Sequence, residues 1–398
     1  MTEEDRDFVL RDLLSGVSAP PTRVDLNQVI TVGRRSLRRR RSFGVAGVSA
    51  LVVAAMLATP LVIRAADGPS GHRSVAAPIA AGAPRATQDA ASATPSAQPC
   101  AVTALPSPNG LADVEASAVD PTGRYVGGQA WVGQNGVPIL WTGGRAQVLP
   151  VHAKSATVDA INANGVVVGQ AENSPDDQYV YRYQNGTVTK LSPLPHYPHL
   201  FPTASINAAG DVVINAEAKG SVEGAGAVGV IWPAGSTTAH KVTLPAGANL
   251  FAITDDGTRV GTSYVAGVAD AAYTWDANGH GRKLAAPSGQ KSLAYGARGE
   301  WVTGAVGEFP GASQTARWNL RTGSVTILNS ADNGGAVNAS GWVVTPTAVI
   351  PDKNPIPLQS FSADARVTLK GISDTNLVVG YAAPKSRDGH SQAVTWQC

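Results

Sequence analysis

The sequence has little from which to build a helical core. Six Phe and two Met stand against 43 Gly, 27 Pro and eight Trp in 398 residues. That balance excludes a large helical interior and favours many turns joining short strands. A basic surplus is missing beyond residue 64: the ten Arg and six acids of residues 1–64 leave 21 basic and 23 acidic groups for the remainder, a net of −2. Nothing there would neutralise a row of phosphates, so nucleic acid is not expected as a partner. The chain also lacks a nucleophile-elbow serine, a zinc-protease helix, a glycine-rich phosphate loop and sialidase-type Asp boxes. It therefore offers no residue to which a catalytic, cofactor-binding or metal-binding role can be assigned, and no cofactor is expected. Cysteine is almost absent, with one at position 100 and the other at 398.

What is present is unevenly placed. Six Arg, at 34, 35 and 38–41, precede 22 uncharged residues, 42–63. At about 1.5 Å per helical residue this run extends roughly 33 Å, enough to cross a bilayer core. The Arg cluster predicts an N-terminus in the cytoplasm, with everything after Arg64 exported through a single-pass membrane anchor. A cleaved signal, suggested by the loosely twin-arginine Arg40-Arg41-Ser42-Phe43, would instead give a secreted protein. Residues 1–41 form a basic cytosolic segment in which Phe8, Val9 and Leu13 make one side of an amphipathic helix, and residues 24–41 suit a second helix. A cytosolic protein partner for residues 1–41 is one expectation. Residues 64–99 are rich in Ala, Pro, Ser, Thr and Gly and read as a disordered stalk.

From Cys100 onward the chain repeats. A β-branched hairpin recurs seven times: AVDPTGRYVGG at 118, AINANGVVVGQ at 160, SINAAGDVVIN at 205, AITDDGTRVGT at 252, AYGARGEWVTG at 294, AVNASGWVVTP at 336 and GISDTNLVVGY at 371. Its turn holds Gly123, Gly165, Gly210, Gly257, Gly299, Gly341 or Asn376, residues that tolerate positive φ. An aromatic residue closing a strand also recurs seven times, as Trp141, Tyr183, Trp232, Trp275, Trp318, Phe361 and Trp396. One per repeat at the same place predicts packing between units, not a carbohydrate platform. A third element follows it, QVLP at 147, VTKL at 188, VTLP at 242, RKLA at 282, VTIL at 325 and VTLK at 367. It is missing after Trp396.

The missing element stands at the other end. AVTALP, residues 101–106, is a copy of it with no aromatic strand ahead of it. An all-β, seven-bladed propeller over residues 100–398 closes if this strand completes the last blade. Cys100 lies two residues before Val102 and Cys398 two after Trp396, so antiparallel pairing brings them opposite each other. A Cys100–Cys398 disulfide would then stand in for the covalent turn of the other blades, in an oxidising compartment.

The hairpin in AINANGVVVGQ and the closing motifs ILWTGG, VIWPAG and YTWDANG resemble the extracellular HAF-type repeats of bacterial surface proteins. The resemblance covers residues 100–398, while the Arg- and Ala-rich N-terminal part resembles membrane proteins of high-GC actinobacteria. It implies a propeller outside the cell and no defined activity, since propellers host both binding and catalysis.

His196 and His199 have metal-like spacing but stand between prolines without a third ligand, which fits a loop. Asp120 and the pair Asp255-Asp256 occupy the repeat's turn position and read as turn chemistry, not calcium ligands. Less regular residues are the candidates for a ligand face: Asp176, Asp177, Arg182, Glu300, Trp301 and Glu308. The expected function is a membrane-anchored binding or scaffolding module for a cell-wall glycan or protein. The alternatives are a transmembrane sensor signalling through residues 1–41, and a glycan- or peptide-acting enzyme with carboxylates gathered at the channel.

Overall fold

The computed structural model describes residues 98–398, apart from 220, 222–225, 310 and 387–388. The predicted cytosolic segment, membrane span and all but the last two residues of the predicted stalk, residues 1–97, lie outside the described residues. Among the described residues no helix is long and apolar enough to cross a membrane.

Seven antiparallel sheets form the blades of a β-propeller. Blade 1 shows the pattern, with Val114–Val119 innermost, then Tyr125–Val132, Asn135–Thr142 and Arg145–Val148 at the rim. The predicted hairpin joins the first and second strands of each blade, and in every blade but the sixth the aromatic residue lies at the end of the third. All six predicted turn glycines have positive φ, between 57° at Gly299 and 100° at Gly210, and Asn376 stands in the seventh turn at 62°.

In every blade but the fifth the first residue of the hairpin turn is buried, and in most its side chain closes the turn. Asp120 Oδ1 accepts Tyr125 N at 2.7 Å, and Asn162 Oδ1 accepts Asn164 N and Val166 N at 3.0 and 3.1 Å. Side chains that fold back on their own turn explain the Asp and Asn found there.

The aromatic residues join blades. Trp141, Trp232, Trp318 and Trp396 are buried, and each indole N–H reaches a carbonyl at or beyond the outer strand of the preceding blade: Pro106 at 2.7 Å, Ser192 at 2.9 Å, Ala285 at 2.6 Å and Gln359 at 3.1 Å. Burying a ring of this size removes 150–250 Å², about 4 to 6 kcal/mol of transfer free energy before entropy is counted. The core is accordingly a set of layers between neighbouring sheets. One layer packs Val168 and Val180 of blade 2 against Val212, Ile214 and Trp232 of blade 3.

A second glycine of the repeat lies in the strand after the turn. A Cβ on Gly128, Gly169, Gly261, Gly304 or Gly380 would stand 1.9 to 2.1 Å from a backbone oxygen of the innermost strand. Four of these five face a bulge, as the register shifts between Ala116 and Ala118, Leu250 and Ala252, Ala294 and Gly296, and Leu369 and Gly371. The bulged carbonyl turns toward the neighbouring strand, and glycine leaves it room.

The ring closes as the sequence implies. Strand Ala101–Ala104 pairs with Gln392–Gln397, with Val102 opposite Trp396. Cys100 and Cys398 are disulfide-bonded with their Cα atoms 4.3 Å apart.

Blade 6 departs from the expected pattern. Its strands, Ala336–Val337, Val343–Val344 and Val349–Ile350, are two residues each. Phe361 does not close a strand; it lies in the connection to blade 7 and is 37% exposed. Ile350 takes the aromatic position, opposite Val343 as Trp396 is opposite Val378. The VTLK at 367 belongs to Ala365–Ile372, the innermost strand of blade 7. The match misled because a β-branched run ending in Leu serves equally as an inner or an outer strand.

Candidate functional site: the channel and the cleft beside it

The innermost strands surround a channel of about 320 Å³. The face bearing the first-to-second-strand turns is laced together. Arg298 of blade 5 meets Asp255 of blade 4 at 2.6 Å and Asp374 of blade 7 at 2.9 Å. Asp255 also accepts Ala208 N of blade 3 at 2.8 Å, and Asp374 accepts Ala339 N of blade 6 at 2.8 Å. One guanidinium fork thus ties turns that are far apart in sequence across the mouth of the channel.

Blades 7, 1 and 2 carry a polar cluster in the channel. Glu115 and Lys370 attract each other there. Burial raises the Glu115 carboxyl above its ordinary value, and hydrogen bonds from Trp131 and Gln129 work against that rise. Burial also lowers the Lys370 ammonium. Asp159 accepts Ala204 N at 2.8 Å, Gln170 Nε2 at 3.0 Å and Thr157 Oγ1 at 3.2 Å. Even so, loss of bulk water around it pushes its carboxyl up to about 6. Further round, burial pushes the Tyr295 phenol up to about 12, and Phe251 meets that ring edge-on at 5.4 Å between centroids.

The opposite face bears the second-to-third-strand hairpins and, beside the axis, a cleft of about 680 Å³ between blades 1, 2 and 3. Its sides are the blade 1 hairpin with Trp131 and Gln134, the blade 2 hairpin with Glu172 and Asn173, and the entry to blade 3 at His199–Pro202. Local hydrogen bonds fix its walls. Gly136 N donates to Ser155 Oγ at 2.9 Å, Gln178 bridges Glu172 at 3.3 Å and Leu200 N at 2.9 Å, and Gln170 Nε2 reaches both Asp159 and Pro202 O at 3.0 Å. Thr157 lines the cleft and the channel alike, so one wall separates the two.

The six residues singled out in the sequence do not converge. Asp176 and Asp177 sit on the blade 2 hairpin beside the cleft, paired with Lys219 at 3.0 Å and Lys190 at 3.7 Å. Glu308 is exposed on the blade 5 hairpin of the same face. Arg182, Glu300 and Trp301 belong to the other face: Arg182 donates to Gly210 O at 3.4 Å, Glu300 accepts from Arg321 at 2.8 Å and Asn319 at 2.9 Å, and Trp301 lies under the Arg317 guanidinium at 5.0 Å. None of the six lines the cleft or the channel. His199 binds Pro175 O at 3.1 Å, and among the described residues no three His, Cys, Asp or Glu are grouped to hold a metal ion.

Sequence reasoning missed Trp131, Gln170 and Glu115. A signal for the first existed: Trp131, Trp301 and Trp342 are the three tryptophans outside the closing series, and an off-repeat aromatic has no repeat-wide packing duty.

No family model matches the chain, and no curated protein matches it. Solved structures do resemble it. An oligogalacturonate lyase in complex with manganese is 9% identical with a TM-score of 0.54, over 75% of this chain and 93% of that one. The oligogalacturonate lyase from Vibrio parahaemolyticus is 10% identical with a TM-score of 0.51, over 74% of this chain and 93% of that one. TolB from Acinetobacter baumannii is 13% identical with a TM-score of 0.40, and the match spans 72% of this chain and 63% of TolB. At such identities the likeness is one of fold alone: this is a seven-bladed propeller, closed by a strand from its N-terminal side and a disulfide.

Proposed function

We propose that the protein is a binding module held at the outer surface of the cell, presenting the cleft-bearing face to its ligand. The observation that carries this reading is the difference between the two faces. One has its turns laced together by Arg298 and its carboxylates, while the other carries a walled cleft of about 680 Å³, of a size usual for ligand sites. Export is supported by the disulfide, which needs an oxidising compartment. Anchoring is supported by the Arg run and apolar segment at 34–63. The HAF-type resemblance and the actinobacterial character of the N-terminal part fit the same picture. Glu115 and Asp159 give an enzyme reading its one foothold, two carboxyls with raised proton affinity in one channel. Both are occupied in holding neighbouring side chains, which favours binding over turnover.

The test is protease shaving of intact cells expressing the full chain with an epitope before residue 1. Export with anchoring predicts that the stalk is cut, the propeller is released and the epitope stays with the cells. An epitope and propeller both protected until lysis would overturn the reading. Release of the propeller without protease would replace the anchor by a cleaved signal.

A further inference from the structure

We propose that the cleft between blades 1, 2 and 3 binds a neutral, hydroxyl-rich chain, an oligosaccharide without acidic groups. The proposal rests on the reading of this face as the binding face and names the class of ligand.

Charge narrows the choice first. The ionisable side chains lining the cleft are Glu172, Glu217, Lys154 and His199, with no arginine. Beside it, Asp176 and Asp177 are balanced by Lys219 and Lys190. An anionic ligand would meet two carboxylates and one ammonium, and no guanidinium fork of the kind that recognises carboxylate or phosphate. This separates the site from one built for an acidic polysaccharide.

Hydrogen-bonding capacity points the same way. Gln170 gives both hydrogens of its amide nitrogen to the wall, to Asp159 and Pro202 O, each at 3.0 Å, and its Oε1 accepts nothing among the described residues. Glu172 presents a carboxylate that takes one bond from Gln178 at 3.3 Å. Gln134 and Asn135, at the hairpin tip, add two amides. Such a lining is rich in acceptors and suits a ligand that donates O–H groups, which a sugar does and a carboxylate or phosphate does not.

The aromatic part is Trp131. It lines the cleft, its side chain hydrogen-bonds Glu115 in the wall, and its six-membered ring stands over Gly136, where a Cβ would come within 3.5 Å of Cζ3. A ring held in advance loses little freedom on binding and offers apolar surface to the C–H face of a sugar. The six aromatic residues that do close strands cannot do this, because their rings are spent between blades.

The test uses the full chain purified in detergent, titrated with cellohexaose, chitohexaose and hexagalacturonate and read by tryptophan fluorescence and calorimetry. At least one neutral hexamer should bind, at least tenfold tighter than hexagalacturonate. Trp131→Ala should weaken that binding at least tenfold, with Trp131→Phe staying within about threefold of the parent. Gln134→Arg alters an exposed hairpin-tip residue whose side chain makes no hydrogen bond among the described residues, so it tests the site even if Trp131→Ala fails to fold. The added cation should tighten hexagalacturonate at least fivefold. Absence of binding by both neutral hexamers, equal or tighter binding of hexagalacturonate, or indifference to both Trp131→Ala and Gln134→Arg would overturn the proposal. The titration is independent of cellular location, so its failure and failure of the surface reading are separate results.

Discussion

Reducing the Cys100–Cys398 bridge should loosen one blade before the rest of the ring. The bond closes a loop with a sequence separation of 298 residues. Chain-entropy arithmetic gives about 5 to 6 kcal/mol as the upper limit for such a loop, and measured bridges commonly deliver less, so about 4 kcal/mol is the working figure. For about 300 ordered residues the unfolding entropy near the midpoint is roughly 0.6 kcal/mol per degree, which converts that loss to a fall of about 6 °C. What remains to hold the closing strand is slight. Ala101, Thr103 and Ala104 are exposed, and the non-covalent hold is a four-residue ladder, the buried Leu105 with bonds to Ala393 and Gln392 at 2.9 and 2.7 Å, the Trp141 bond to Pro106 O, and a few bonds to 357–359. The assay is thermal unfolding of the oxidised protein, the reduced protein and the double variant Cys100→Ser/Cys398→Ser, with hydrogen exchange read by peptide. Amides of 101–105 and 392–397 should exchange fastest once the bridge is gone, ahead of those in blades 2 to 5. Midpoints within about 1 °C of each other, or loss of protection spread evenly over all blades, would refute the argument that the bridge replaces a missing covalent turn.

Three further outcomes follow from the same geometry. Asp159 takes up its proton more readily folded, at about 6, than at its ordinary 3.8, so the folded state binds the extra proton and its stability falls as pH rises from about 4 to 6. Asp159→Asn, which keeps an acceptor for Ala204 N, should remove that slope and gain on the order of 2 to 3 kcal/mol at pH 7, checked by urea midpoints from pH 4 to 8. An unchanged slope would mean the carboxyl stays well hydrated. Gly261→Ala places a Cβ 1.9 Å from Asn249 O and should lose about 3 kcal/mol, while Gly257→Ala, at φ +83° with open space around it, should lose about 1; equal losses by urea titration would argue against the bulge explanation. Arg298→Met breaks both links across the channel mouth at a side chain 25% exposed and should lower stability by about 2 kcal/mol, whereas Arg321→Met, whose pair with Glu300 is at the surface, should leave the urea midpoint unmoved.

Much of the fold could be read from the chain because a propeller imposes one geometry seven times. The turn glycines, the Asp or Asn that closes the turn in blades 1, 2, 3 and 6 and the tryptophan that reaches the preceding blade in blades 1, 3, 5 and 7 each answer the same local demand in recurring units. Repetition made them visible. Blade 6 escaped because its strands shrank to two residues each and an isoleucine filled the aromatic position, so the nearest aromatic in the sequence, Phe361, was a chance neighbour. The strand glycines were equally periodic, yet a glycine inside a β-branched run signals only close approach, and the bulged carbonyl it faces is a property of the paired strand.

The candidate site was hidden for the opposite reason. It is assembled from hairpins and connections of three blades, where the repeat imposes nothing, and its walls meet only after the ring has closed. Irregularity in the sequence therefore had two causes that look alike on paper. Arg182, Glu300 and Trp301 are irregular because the turn face is laced by side chains that differ from blade to blade, as Arg298 shows with Asp255 and Asp374. Trp131 is irregular because it lies toward the open face, where a ring is not needed between sheets. A large aromatic residue that leaves the repeat and stands near a second-to-third-strand hairpin is thus the stronger sign of a ligand surface than an unusual charge near a first-to-second-strand turn. By that rule Trp131, which lines the cleft, is the residue to test for a ligand, while Trp301, beneath the Arg317 guanidinium, belongs to the scaffold.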